Sequence, residues 1–430
     1  MIDNKEKPLE RAIIVGVAGP KSDKWEVQEH LDELAFLAEA AGAKVCERVT
    51  QERKKLHPAY YIGKGKVDVV REIADEQKAD VIIFDDDLTP AQAKNLGQSI
   101  NKKVLDRSGL ILDIFARRAQ TREARTQVEL AQLRYLLPRL TRQWTHLSRQ
   151  VGGIGTRGPG ETQLEVDRRL IRKRIGNLEK ELDNIERQRS MRRKSRDSVF
   201  KAALVGYTNV GKSTLMNAMT DSDVFIEDQL FATLDATIRT LPLTDSEDAL
   251  LIDTVGFIRK LPHHLVASFK STLEEARDAD VLVHVIDISH PCFEDQMKTV
   301  QHVFHDLSLD DTPVLHVFNK IDMLENNGSI AAMREKYPDS IFTSASKGMF
   351  LGEFKKALIK LSNAEEEVFE LVLHAGDGES ISRVYDYASV MEKRYEDENV
   401  IIKVKTSRQK ALKLKGTIAG GRSGSALSVD

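Results

Sequence analysis

One stretch of eight residues limits this chain more than its composition does. Gly206, Tyr207, Thr208, Asn209, Val210, Gly211, Lys212 and Ser213 fit the pattern G-x-x-x-x-G-K-[ST]. An apolar run over 202–205 precedes them, and an apolar-periodic run beginning at Thr214 follows. That setting predicts strand, loop and helix in order. Glycines let successive backbone N–H groups turn inward around phosphates, and the loop feeds the positive end of a helix. Lys212 is expected to reach the β- and γ-phosphates, the Ser213 hydroxyl to bind magnesium, and Thr214 to close the cradle. Alone, the pattern also fits an incidental glycine-rich loop.

Three later stretches narrow the choice. Asp253, Thr254, Val255 and Gly256 follow the apolar run 249–252 and fit D-x-x-G. Asp253 is expected to hold magnesium through water, and the Gly256 N–H to sense the γ-phosphate. Asn319, Lys320 and Asp322 follow the run 314–318 and fit N-K-x-D. The Asp322 carboxylate can accept two hydrogen bonds from guanine N1–H and N2–H₂, whereas adenine would leave it unpaired. Asn319 is expected to help fix the base edge, and the Lys320 stem to pack on the ring. Ser344, Ala345 and Ser346 follow the run 340–343, and the Ala345 N–H is expected on guanine O6. Four elements in this order, each at the C-terminal end of a strand, predict a GTPase domain using GTP/GDP and Mg²⁺.

The 430 residues leave room for about three domains. Hydrophobic content of 41% and charged content of 30% suit a globular protein. Neither a signal core nor a run of membrane-spanning length occurs, so a cytoplasmic location is expected. Cys46 and Cys292 lie far apart, and their spacing indicates neither a disulfide nor a zinc site.

The expected fold class is α/β. Residues 1–116 alternate strand signals (12–17, 43–49, 81–84, 103–105) with helical ones, which predicts a parallel sheet. A helix is expected from Pro90 with Thr89 as N-cap. Two weaker features lie here: Gly63, Lys64, Gly65 and Lys66, a phosphate loop or an exposed turn, and Asp85, Asp86 and Asp87, read as a solvated loop. Residues 198–364 hold the GTPase sheet, mostly parallel with helices on both faces. Residues 365–430 predict a small α+β unit with strands at 368–373 and 400–404, a helix over 381–391, and a flexible glycine- and serine-rich tail.

Residues 117–197 differ from both neighbours. Leu130, Leu133, Leu137, Leu140, Trp144 and Leu147 form one helical seam, in which Pro138 is expected to kink the helix without necessarily ending it, since the seam continues past it. Ile171, Ile175, Leu178, Leu182 and Ile185 form a second, so a long antiparallel hairpin is expected. Its connector, 152–160, has five glycines in nine residues. From Arg117 to Arg196 there are 21 Lys+Arg against 9 Asp+Glu, a net of +12. The whole chain is −3, so the remainder sums to −15. A basic arm on an acidic body predicts a nucleic-acid footprint, the bland alternative being a solvated coiled-coil face.

Gly158 to Glu165 (GPGETQLE), Asp106 to Asp113 (DRSGLILD), Phe231 to Asp235 (FATLD) and Asp253 to Phe257 (DTVGF), with the four nucleotide elements, closely resemble the HflX family of the Obg-HflX group. The resemblance implies a monomer bound to the 50S ribosomal subunit and its ribosomal RNA, splitting stalled or stressed 70S ribosomes. It also implies that the glycine-rich tip reaches toward the peptidyl-transferase centre. Phe231, Ala232, Thr233 and Leu234 fall where such domains place the segment that senses γ-phosphate. Thr233 is the expected third magnesium ligand, with Thr237 second. Phe257 stands where related GTPases orient water with glutamine, so slow intrinsic hydrolysis is expected. Asn209 stands where similar GTPases hold K⁺, or serves as a turn residue. A second functional reading stays open, a non-splitting assembly or signalling GTPase whose hairpin binds another RNA or protein.

Overall fold

The computed structural model describes residues 9–19, 24–140, 163–193, 199–220, 231, 236–244, 247–260, 275–324, 327–364, 366–396, 398–407, 411 and 414. The first sheet comprises β1 (Glu10–Ala18), β2 (Ala43–Glu52), β3 (Val81–Phe84) and β4 (Lys103–Asp106), all parallel in the order β2-β1-β3-β4. Helices α1 (Lys24–Ala40), α2 (Lys64–Glu76) and α3 (Pro90–Ile100) cross between strands. Ile13, Val15, Ile82 and Phe84 pack on one face, and Ala12, Ile14, Val81 and Ile83 on the other. That two-sided burial explains continuous apolar strands in place of alternating ones. Thr89 caps α3 in a reciprocal box with Gln92, and Pro90 occupies the first turn, as expected. The Gly63–Lys66 stretch is neither a phosphate loop nor a free turn: Gly63 is the extended N-cap of α2 and Lys64–Lys66 form its first turn, with Lys64 and Gly65 exposed.

Asp106 turns β4 into α4 (Arg107–Arg118) and joins the first sheet to the hairpin. Its carboxylate is buried and accepts from Gly109 N, Leu88 N, Tyr135 Oη and Arg139 Nη2. Tyr135 lies on α5 (Arg122–Leu136), which packs against the 31-residue α6 (Gln163–Arg193). Pairs Arg122–Glu181 and Arg174–Glu129 run in antiparallel register along the two helices. The seam expectation needs one correction. The first helix ends at Leu136: Leu137 keeps helical angles and donates to Leu133 O, but Pro138 has no N–H to continue the ladder, and Arg139 N closes a tighter turn on Leu136 O. Residues 137–139 form a turn that reaches Leu140, and the rest of the expected seam and the glycine-rich connector lie outside the described residues.

The second sheet has the order β10-β9-β8-β5-β7-β6. It is built from β5 (Phe200–Gly206), β6 (Thr237–Pro242), β7 (Asp248–Asp253), β8 (Val281–Asp287), β9 (Val314–Asn319) and β10 (Ile341–Phe342). All pairs are parallel except β6 with β7. Its described helices are α7 (Lys212–Thr220), α8 (Phe293–Asp306), α9 (Asn327–Lys336) and α10 (Leu351–Ala364). Most of the helix expected over 264–276 falls outside the described residues. The last unit is an antiparallel sheet, β11-β13-β12 (β11 Glu366–His374, β12 Ser389–Glu396, β13 Asn399–Ser407), under α11 (Gly378–Tyr387). The helix expected to reach Met391 stops at Tyr387. Ala388 turns extended, and the following residues pair with β13 as an edge strand. Hydrogen bonding to a neighbouring strand, invisible in local pattern, overrode local helix propensity there.

A candidate guanine-nucleotide site and its attachment to the first sheet

The loop 206–213 is shaped by positive backbone angles and close approaches. Gly206 has φ +151°, and a Cβ there would lie 2.3 Å from Val285 O. Gly211 has φ +91°, and a Cβ there would meet Asn319 Nδ2 at 2.4 Å. Neither position tolerates a side chain. Asn209 is exposed with φ +59°, a left-handed turn conformation asparagine accepts better than most residues. Val210 is buried beneath the loop.

Lys212 begins α7 and is buried, its Nζ donating to Tyr207 O at 2.8 Å and Gly206 O at 3.3 Å. Burial pulls its pKa down to about 8, against the opposing pull of Asp253. The ammonium therefore folds back onto the loop's own carbonyls, which phosphate oxygens can replace. Ser213 Oγ donates to Asp253 Oδ2 at 2.6 Å. These two side chains come from different parts of the sequence and meet at the C-terminal ends of β5 and β7. A hydroxyl and a carboxylate are hard oxygen donors of the kind magnesium takes, so the expected ligands present here fit that ion. Thr233, the expected third ligand, lies outside the described residues together with Ala232 and Leu234. Phe231 is described and buried, its ring edge-on to Phe115 of α4 at 4.7 Å. Thr214 continues the first turn of α7.

Gly256 presses on the loop. A Cβ there would lie 2.8 Å from Thr208 Cα and 3.0 Å from Lys212 Nζ. Thr254 is wholly buried and donates to Leu204 O, while Val255 packs in the core. The next residue departs from its sequence reading. Phe257 supplies no group to water, as expected, but it is also a structural clamp. Its N–H donates to Gly206 O at 2.9 Å, and its carbonyl accepts from Thr208 N at 2.7 Å. Its ring is buried with Ala203, Val205, Ile252 and Phe304.

On the base side, Asn319 ties two loops together. Its Nδ2 donates to Val210 O at 2.8 Å, and its Oδ1 accepts from Ala345 N at 2.9 Å. The Ala345 N–H expected on guanine O6 is thus already engaged by Asn319. Lys320 has φ +63°, and its ammonium pairs with Asp287 at 2.8 Å, which holds the stem in place. Asp322 is exposed in a short 3₁₀ turn, Ile321–Met323. Ser344 is buried, its Oγ accepting from Lys347 N and lying 3.3 Å from Ser346 Oγ. The described loop ends thus bring phosphate, metal and base candidates to one edge of the sheet.

The sequence reading missed what lies against that edge. Tyr207 turns its side chain away from the loop, where its hydroxyl donates to Glu33 of α1 at 2.5 Å and accepts from Arg259 N at 2.7 Å. Burial and the Glu33 carboxylate raise its pKa well above the ordinary value. Arg107, nearly inaccessible, pairs with Glu33 and with Asp85. Lys260, four residues past Gly256, pairs with Asp85 at 2.6 Å and Asp86 at 2.5 Å. The solvated reading is therefore corrected for Asp85, which is 3% exposed, while Asp86 is half-buried and Asp87 is exposed as expected. A buried carboxylate needs partners, and cations from β4–α4 and from the GTPase sheet supply them. Charge alternation 175 residues apart leaves no local trace. The only available signal was Asp85 directly after a buried strand.

Three family profiles match in series. "GTP-binding GTPase N-terminal" matches residues 28–116, "GTP-binding GTPase Middle Region" 118–196, and "50S ribosome-binding GTPase" 201–320. Among curated relatives, GTPase HflX of Caldanaerobacter subterraneus is 43% identical over 400 residues, 93% of this chain and 91% of the relative. GTPase HflX of Escherichia coli is 45% identical over 374 residues, 86% and 88% of the two chains. The counterpart from Flavobacterium psychrophilum is 51% identical over 322 residues, 75% and 78%. A solved GTP-binding protein from Sulfolobus solfataricus in complex with GDP is 25% identical, with a TM-score of 0.44, covering 82% of this chain and 98% of that one.

Proposed function

The chain belongs to the HflX family of GTPases and hydrolyses GTP to GDP and phosphate, and from that premise we propose that it binds the 50S subunit and splits stalled or stressed 70S ribosomes. Hydrolysis then resets it for release. One observation carries the reading, a continuous bonded path from the basic arm to the nucleotide loop. Asp106 fixes the C-terminal end of α5 to the first sheet through Tyr135 and Arg139, and the adjacent Arg107 is bonded to Glu33, which holds Tyr207. RNA phosphates drawn to the +12 arm would thus act on a body joined directly to the loop around GTP. The description "50S ribosome-binding GTPase" for 201–320 supports the same partner.

In this proposal Lys212 leaves the carbonyls of Gly206 and Tyr207 to meet the β- and γ-phosphates, and Gly256 N–H meets the γ-phosphate. Asp322 reads guanine, while Asn319, Lys320 and the 344–346 turn shape its pocket. Ser213 and Asp253, with Thr233, would hold magnesium, whose chemistry is to neutralise charge on the β- and γ-oxygens. Asn209 would hold K⁺ beside the loop. Phe257 aligns the strand end and leaves water to be positioned by another group, so docking on RNA sets the rate. A monomer working in the cytoplasm fits, and among the described residues no helix is long and apolar enough to cross a membrane.

The test compares the parent, a variant with a serine linker for residues 152–160, and a reversal at Arg168, Arg169, Arg172 and Lys173. Pelleting with 50S subunits, 70S light scattering and phosphate release are read together with a non-hydrolysable GTP analogue. The linker variant should pellet with 50S subunits yet fail to split 70S ribosomes, and the reversal should lose attachment. Attachment without any splitting by the parent would favour the assembly or signalling reading, and full splitting by the linker variant would reject a role for the tip.

A further inference from the structure

Helix α1 and the loop after β8 meet at a second cluster, distinct in composition from the nucleotide site. Glu29, His290 and Cys292 each present one ligand atom, and these atoms all lie within 4.8 Å of one another. Cys292 Sγ lies 2.9 Å from Glu29 Oε2, across 263 residues of sequence. In the metal-free protein Cys292 N donates to His290 Nδ1 at 3.1 Å; a cation taken by either ring nitrogen gives up this bond, because the other nitrogen then carries the imidazole proton. Pro291 between them fixes its own φ, so little chain freedom remains to be lost on binding. Cys292 is buried, and Glu29 and His290 are half-buried.

A thiolate, an imidazole and a carboxylate are the donors tetrahedral zinc sites use, and magnesium rarely takes the first two. Bonds of about 2.3 Å to sulfur and about 2.1 Å to oxygen place two donors of one tetrahedral cation about 3.6 Å apart. The Cys292–Glu29 pair needs only to open by under about 1 Å to admit such an ion. We propose that Glu29, His290 and Cys292 form a site for a zinc-class divalent cation that fastens the first sheet to the GTPase sheet. Water takes the fourth position, and the thiol proton leaves to solvent. The loop bearing two ligands follows Asp287, the last residue of β8 and the partner of Lys320, so the cation also stiffens the base side of the nucleotide pocket. This inference stands apart from ribosome binding, and its test needs no ribosome.

Full-length protein, freed of metal and nucleotide, is titrated with Co²⁺ in excess Mg²⁺, which occupies oxygen sites and leaves thiolate sites open. One Co²⁺ per chain should give a thiolate charge-transfer band and the ligand-field bands of four-coordinate cobalt, and Zn²⁺ should bleach both. Cys292→Ser should erase the charge-transfer band and weaken binding by at least about 100-fold, beyond the effect of losing an outer-shell partner. Glu29→Gln and His290→Ala should each weaken Co²⁺ by at least about tenfold. Cys46→Ser should retain the parent spectrum. Circular dichroism of every variant checks the fold, and either of the two milder variants decides the matter should Cys292→Ser misfold. Absence of a thiolate band in the parent, or a band unchanged by any of the three ligand substitutions, would overturn the site.

Discussion

Asn319 joins the loop around the phosphates to the loop beside the base, and its removal should therefore damage both at once. Asn319→Ala leaves Val210 C=O and Ala345 N–H without the side-chain partners they have at 2.8 and 2.9 Å. Each buried group so orphaned costs about 1–3 kcal/mol. Water reaching one of them in the relaxed empty protein returns part of that, leaving about 2–4 kcal/mol charged against the bound state. At about 1.4 kcal/mol per factor of ten, GDP affinity should fall roughly 30- to 700-fold. Stopped-flow release of fluorescent GDP and xanthosine diphosphate, with association rates, gives the two dissociation constants. The Asn319→Ala loss should be equal for both bases, because the side chain serves the protein. Asp322→Asn should instead weaken GDP and strengthen xanthosine diphosphate, since the amide complements xanthine's extra carbonyl. GDP affinity within threefold of the parent after Asn319→Ala would show that the tie carries no binding energy and refute the reasoning.

Replacing Na⁺ by K⁺ at constant ionic strength should raise GTP turnover, and Asn209→Ala should erase the difference; equal parent rates in both salts would reduce Asn209 to its left-handed turn. Phe257→Ala should lower stability by about 3–5 kcal/mol, read as a lost fraction of folded protein in urea, because its ring is buried with Ala203, Val205, Ile252 and Phe304. Phe257→Leu keeps most of that packing and should leave intrinsic phosphate release within a few-fold, whereas a 100-fold fall would assign chemistry to the ring. Lys212, with its pKa lowered to about 8 against a higher value unfolded, binds fewer protons folded than unfolded between those values. Its burial penalty is therefore largest at low pH, and nucleotide-free stability should rise as pH climbs through about 8. Diphosphate needs the charged amine, so GDP affinity should fall over the same climb, and Lys212→Met should flatten both profiles when followed by calorimetry.

The sequence alone determined the elements whose cause is local. Glycines at 206 and 211, a lysine and serine at a helix start, and apolar runs ending at each nucleotide element are enough to predict the strand ends and the order of those elements. Thr89 and Pro90 likewise announced the start of α3. Helix limits set by competition were less legible: Pro138 stopped α5 after Leu136, and pairing with β13 claimed residues that read as the end of α11. Only the tertiary structure decided where charge would be buried. Nothing near Asp85 in sequence tells that Arg107 and Lys260 will neutralise it, nor near Tyr207 that Glu33 will take its hydroxyl. Cys292 looked inert by its spacing from Cys46, and acquired a carboxylate neighbour only when α1 was laid on the loop after β8. Local pattern records the periodicity of backbone hydrogen bonds and apolar faces. A buried ion pair or a mixed donor set is a relation between distant side chains, created when helices and loops of two sheets pack together and exclude the water between them.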